Sequence, residues 1–222
     1  MKRHSIRDFT GKGIHVGLAI ITLLWILSGC GNSNQISADT VAQADAVKMD
    51  GEEIIYDDGI PESQHSPWWD KRGGQLAVVF TPTFYPAVLS KVRFLVGISG
   101  IPTTEFRVRV FGGTVSDGPD ESLDLLKSEV TASAEFGNKW VEIDLSGQNI
   151  IITSGDFCVS MEWLTPPGDY GRYAQSIGVD HSKPDGRSWW KTDSISRWER
   201  IEEVANIGDR DVMIRATIEK KL

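Results

Sequence analysis

Cysteine is nearly absent: Cys30 and Cys158 are the only two in 222 residues. A disulfide framework of the kind that staples small secreted domains is therefore excluded. Histidine is scarce as well, at four residues, and no His-Glu-x-x-His, Gly-x-Ser-x-Gly or Gly-x-x-x-x-Gly-Lys motif occurs. Zincin, serine-hydrolase and phosphate-loop chemistries have no sequence support. Basic residues are outnumbered, 23 Lys plus Arg against 31 Asp plus Glu, which argues against nucleic acid or an anionic bilayer as a bulk electrostatic partner. No window carries a long 3.6-residue apolar stripe, so crossover helices are not expected. The apolar run Ile14–Leu27 falls short of the roughly 20 residues a membrane-spanning helix needs.

What is present divides the chain in three. Residues 1–29 carry Lys2, Arg3, Arg7 and Lys12 against Asp8, then the apolar run, then Leu27-Ser28-Gly29. A basic start, a short apolar stretch and small residues at the end make a secretory signal. Leu27-Ser28-Gly29-Cys30 resembles the lipobox of bacterial lipoproteins. The resemblance implies cleavage before Cys30, acylation (palmitate among the chains) of that residue, and a lipid-anchored place in the bacterial cell envelope. Gly31 rather than Asp after the cysteine favours the outer membrane in a Gram-negative cell. Several acyl chains on one residue anchor stably where a single chain does not. Without residues 1–29 four cations and one anion are lost, leaving 19 against 30 and a formal charge of −11. Residues 30–51 are polar, small and free of aromatics, and read as a flexible tether. Val41–Val47 is its one short helix candidate.

Residues 52–222 change character. Period-2 segments recur between Gly, Pro, Asn and Asp turns. Phe106–Phe111, Trp140–Leu145, Phe157–Trp163 and Val212–Ile218 each place alternate apolar residues on one face. Ile54–Tyr56, Leu76–Phe80, Leu89–Val96, Asn149–Ile152, Ile177–Val179 and Trp189–Lys191 are further strand candidates. Ser122–Val130 reads either as strand or as one short helix. Roughly ten half-buried strands without crossovers predict an all-β, antiparallel, jelly-roll-like β-sandwich.

Tyr56-Asp57-Asp58-Gly59, Ala77–Pro82, Tyr85–Leu89, Phe106–Val110, Ser154–Phe157, Met161–Leu164, Gly178–Asp180, Gly186–Trp190 and Met213–Ala216 together resemble accessory β-sandwich modules of bacterial secreted and cell-surface proteins, including some peptidases. The resemblance spans most of Tyr56–Ile218. It implies a noncatalytic module, here without a catalytic domain beside it.

Three functional readings stand open. The first is noncatalytic binding or scaffolding, with a glycan or an envelope protein as ligand. Trp68-Trp69 and Trp189-Trp190 carry it, because in an alternating strand one member of each pair points outward. An exposed indole face stacks on a sugar ring, and Arg187, Asp185 and Gln64 can supply a polar rim. Against this, such tryptophans also cap the open ends of sandwiches. The second reading is a hydrolase with two carboxyls across a cleft, for which Glu162 and Asp144 are the candidates. The third is a structural envelope subunit, marked by a large exposed apolar patch. No cofactor is required by any motif. Ca²⁺ is the ion an acidic loop would take, and Asp57-Asp58-Gly59 joined by Asp180, Asp209 or Asp211 is such a loop; the alternative is that Asp57 and Asp58 bond local backbone in a turn. Cys158, with only His65 and His181 in the same region, reads as a small buried apolar residue rather than a nucleophile.

Overall fold

The structure, a computed structural model, describes residues 51–66, 73–98, 105–134, 139–164, 175–204 and 208–221. Cys30, the signal segment, nearly all of the tether, Trp68 and Trp69 lie outside the described residues.

Fifteen strands are present among the described residues. In chain order they are β1 (Glu52–Ile54), β2 (Ser63–His65), β3 (Gln75–Phe80), β4 (Ala87–Ile98) and β5 (Phe106–Thr114). Then come β6 (Gly118–Asp124), β7 (Val130–Ala132), β8 (Lys139–Asp144), β9 (Ile150–Ile152) and β10 (Asp156–Trp163). The last are β11 (Gln175–Asp180), β12 (Ser188–Lys191), β13 (Glu199–Arg200), β14 (Asp211–Val212) and β15 (Ile214–Lys220). The count exceeds the ten expected because short edge pieces carry too few residues to show a period. Val212–Ile218, for example, is cut at Met213, whose N–H reaches Gly178 O while its carbonyl accepts from Leu95 N. The Ser122–Val130 stretch holds no helix: it is the end of β6, a loop and the start of β7.

The strands form two antiparallel sheets. The first is organised on β4, which pairs with β15 along one edge, with β8 and β9 along the other, and with β11 at its far end. The second runs β13-β12-β3-β10-β5-β6, with β7 also on β5. Their facing sides meet in one core. Leu76, Val78 and Phe80 of β3, Phe106, Val108 and Val110 of β5, and Phe157, Val159, Met161 and Trp163 of β10 supply one half. Leu89, Val92, Phe94 and Val96 of β4 and Val212, Ile214, Ala216 and Ile218 supply the other. The parity of β4 changes at Ser90, where the register against β15 slips. An extra residue at such a bulge swaps faces, so Leu89 and Val92 both point inward. The all-β sandwich expected from the sequence is thus the observed fold.

A second, smaller core lies on the outside of the second sheet. Ala77, Val79, Phe111, Cys158 and Trp189 are buried there, with Val115 and Trp198 packed against them. The cause is the β5–β6 hairpin, which turns back over its own sheet. Gly113 and Gly118 make this turn available. A Cβ on Gly113 would sit 2.3 Å from Gly118 O and 2.8 Å from Cys158 Sγ. One on Gly118 would sit 2.7 Å from the Trp189 ring, at a φ of +78° that L side chains rarely adopt.

Candidate functional site

The folded-over hairpin creates a cleft of about 730 Å³ on the outer side of the second sheet. One wall is the hairpin itself. Phe111 pairs with Asp124 and Gly112 with Asp120, so Glu121, Ser122 and Leu123 have no partner on β5 and bulge outward. The other wall is β12 and the segment Ser196–Trp198 that leads into β13. Asp193 shapes that segment: its Oδ1 accepts from the N–H groups of Ile195 and Ser196 and from Ser196 Oγ.

Two clasps hold the walls together. Lys191 Nζ donates to Glu121 Oε1 at 2.5 Å, with the lysine side chain only 4% exposed. Arg200 Nη2 donates to Val115 O at 2.7 Å, while its guanidinium lies 5.1 Å from the Trp189 ring centre. The floor and rim are polar. Thr114 Oγ1 and Ser116 Oγ both donate to Asp117 Oδ2, at 2.8 and 2.9 Å. Those bonds hold the Asp117 carboxyl below its ordinary range, so it stays ionised in mild acid. Asp120 Oδ1 accepts from Ser122 N and Oγ.

Trp198 lines this cleft and also a neighbouring hollow of about 380 Å³ that it shares with Trp189, Arg197, Glu199 and Glu203. The indole N–H groups of Trp189 and Trp198 are both buried without a hydrogen-bond partner. A buried donor left unmade costs about 1–3 kcal/mol, so both walls of the hollow hold unmet demand for an acceptor. The other orphaned side-chain atoms among the described residues belong to His65, Arg107, Arg109, Arg210 and Asp211.

The residues singled out from the sequence fall elsewhere. Trp189 and Trp190 do point to opposite faces of β12, but neither ring is exposed, at 5% and 3%. Trp190 enters the main core beside His65 and Trp163. Trp189 faces out and is covered by Gly118 and Arg200. The exposed platform expected of this pair is therefore absent, because the hairpin occupies it. Arg187 serves the fold: it stacks 4.5 Å over Tyr56, donates to Thr81 Oγ1 at 3.0 Å and pairs with Asp185. Gln64 accepts from Ser176 Oγ at 2.6 Å on the first sheet. Sequence reasoning missed Glu121, which sits in no alternating pattern.

The acidic loop is partly assembled. Asp58 and Asp180 come together, and the third carboxylate is Glu62 rather than Asp57; their oxygens lie within 4.8 Å of one another. These are the residues that could hold a divalent cation. Each already accepts backbone donors. Asp180 takes the N–H of Asp58 at 2.8 Å and of Ser182 at 2.6 Å, Asp58 that of Ile60, and Glu62 that of His181. Burial works to raise the Asp180 carboxyl, and these donors outweigh it and hold it below the usual range. The cluster thus stitches the Asp58–Glu62 turn to the end of β11. Asp57 is committed instead to Arg215, which grips both its oxygens at 2.6 and 3.1 Å. Asp211 lies opposite Asp180 on β14, and Asp209 is not in the cluster.

The hydrolase pair does not assemble. Glu162, on β10, lies between Arg107 and Arg109 on the second sheet. Asp144 ends β8 on the first sheet and accepts from Ser146 N. Both side chains lie on the outer faces of their sheets, away from the core between them, so the two carboxyls do not face one another. Cys158 is buried in the outer core, where burial pushes its thiol far above the ordinary range and denies it thiolate reactivity.

No family model matches the chain, and no curated protein matches it at a significant level. Two solved structures are similar. One comprises the cysteine protease and lectin-like domains of a surface-layer-associated protein of Clostridium difficile, at 14% identity and a TM-score of 0.51, covering 68% of this chain and 32% of that one. The other is the same clostridial cysteine protease after propeptide cleavage, at 12% identity and a TM-score of 0.54, covering 78% of this chain and 41% of that one. The chain therefore spans well under half of either neighbour, and at these identities the likeness is one of fold.

Proposed function

We propose that this chain is a noncatalytic carbohydrate-binding module displayed at a bacterial cell surface and tethered by lipid at Cys30. The observation that carries the reading is the cleft beside Trp198: a polar trough of about 730 Å³ with a half-buried indole in its wall. Oligosaccharides present hydroxyls together with apolar ring faces, which suit a polar trough with an indole in its wall. Lectin-like domains on a surface-layer-associated protein of similar fold favour the same reading. Glu121, one of three carboxylates lining the cleft, is engaged by Lys191.

The test is a glycan array of neutral, amino and acidic oligosaccharides probed with the full-length protein. Saturable binding that falls in Trp198→Ala, which removes the indole from the wall, supports the reading. A blank array overturns it. Anchoring is tested separately: Cys30→Ser releases the protein from membranes, and retention on the membrane would mean that the apolar run itself is the anchor.

A further inference from the structure

The hairpin that walls the cleft buries little of itself. In β6 only Gly118 and Pro119 are buried, and Asp120–Asp124 are all exposed. Ser116 and Asp117 are exposed as well, and Val115 is half-buried against the outer core. The cover over that core is mostly backbone. Gly113 stands against Cys158 Sγ and Gly118 against the Trp189 ring, too close for a Cβ at either. Each stem of the hairpin carries a pivot. Gly112 and Gly113 lie near the end of β5, and Ser122 and Leu123 lie in the stretch that has no partner on β5. Beyond that stretch the chain is fixed again, with Asp124 opposite Phe111 and Leu125 N–H donating to Val110 O.

We infer that residues 114–123 form a flap, latched by Glu121 and Lys191, that swings off the outer core while the two sheets stay folded. Between its pivots the hairpin holds itself together: Thr114 pairs with Gly118, and Thr114 and Ser116 both donate to Asp117. Its far side is tied down by Lys191 Nζ on Glu121, by Arg200 Nη2 on Val115 O, and by a longer bond of 3.3 Å from Val115 N to Asp156 Oδ2. Few buried apolar contacts and a handful of polar ties mark a segment that opens locally, well below the cost of global unfolding. Opening also admits water to Trp189 Nε1, which is buried without a partner while the flap is shut; that bond offsets part of what the ties lose. The strand beneath behaves differently. β10 is bonded along both edges, to β3 and to β5, and stays with the sheet. Swinging the flap out therefore widens the cleft towards Trp198 and bares Cys158, as a hinge motion about a few residues. The motion belongs to the unliganded protein and needs no glycan in the cleft.

Cys158 reports the opening, since it is fully buried while the flap is shut. The experiment is labelling of the folded full-length protein with N-ethylmaleimide at about pH 8. It is read by mass on the peptide that carries Cys158, so that Cys30 does not contribute. The labelling rate should be nearly flat in urea below the unfolding transition, because a flap exposes little surface. Glu121→Gln leaves the Lys191 ammonium without its carboxylate and should speed labelling about tenfold. Asp57→Asn acts through Arg215 on the other sheet and should leave the rate unchanged. A rate that climbs with urea along the unfolding transition and equally in both variants overturns the inference and makes the hairpin a fixed wall. So does a thiol that labels only once the protein has unfolded. Should Glu121→Gln fold poorly, the urea series on the unaltered protein decides alone. Either result leaves the glycan reading to its own array.

Discussion

Lys191 and Glu121 meet across the cleft, 70 residues apart in sequence, with the ammonium almost wholly withdrawn from water. The two side chains are not equivalent. Removing Glu121 leaves a buried charge unpaired, whereas removing the charge itself leaves an exposed carboxylate that water can serve. Glu121→Ala should therefore lower unfolding stability by about 1–3 kcal/mol, and Lys191→Met by distinctly less. Urea denaturation of the two variants gives the order; equal losses would mean that the pair matters only through packing.

Trp189 and Trp190 are both core residues, on opposite faces of one short strand. Truncation of either to Ala should cost about 3–5 kcal/mol. Trp198→Phe should cost little, since its Nε1 loses no bond that the folded protein makes. Thermal and urea unfolding distinguish the three. A Trp189→Ala variant of unchanged stability would place that ring in solvent and revive the exposed platform.

The reason the platform failed lies in β3. Leu76-Ala77-Val78-Val79-Phe80 is apolar at every position, and all of it is buried. Unbroken apolar runs of that length mark strands covered on both faces. Reading it only as half-buried hid the outer core and hence the cover over Trp189. The alternating strands β5, β10 and β15 were legible because their outer faces carry the charged Arg107, Arg109, Glu162 and Arg215, each held in an ion pair. Charge offered Asp180, Asp209 or Asp211 as neighbours of Asp58 without choosing among them, and Asp180 is the one that meets it. Glu62 replacing Asp57 was not legible, because Arg215, which claims Asp57, is 158 residues away and no local spacing announces it. The cleft was illegible for a similar reason: it depends on a three-residue bulge in β6 that only strand pairing defines.

The Asp57 side chain is 1% exposed and holds the Arg215 fork, while Arg215 also stacks 4.2 Å over Trp140. Arg215 keeps a weaker neighbour in Glu53 at 3.9 Å. Asp57→Asn should thus destabilise by about 2–3 kcal/mol, below the figure for a charge stranded outright. Arg215→Lys should approach the same loss, since an ammonium cannot grip two oxygens in one plane. Urea unfolding of both, compared with the more exposed Asp58→Asn, tests whether Asp57 is structural; equal stability of all three would refute it.

The pH dependence of stability should be governed by two buried groups of opposite sign. Burial, with the Asp185 and Asp180 carboxylates nearby, pushes Asp211 up to about 8, against the bond it accepts from Asp185 N. Folded Asp211 therefore keeps a proton that the unfolded chain releases near pH 4. Its contribution is complete below pH 4 and is lost as pH rises through 8. His65 is the reverse. Burial against Trp190, and Arg210 beside it, lower it to about 4, so its contribution is present above the unfolded value of about 6.5 and is lost as pH falls through 4. Between about pH 4 and 6.5 the two slopes oppose each other. Above that window Asp211 acts alone, and stability should fall towards pH 8 by at most about 1.4 kcal/mol per unit. Asp211→Asn keeps an oxygen for Asp185 N and removes the titration. It should abolish the fall above neutrality and uncover a rise with pH between about 4 and 6.5 that belongs to His65. Urea unfolding at half-unit pH steps measures both limbs. An unchanged downward slope in Asp211→Asn would assign the titration to another carboxyl.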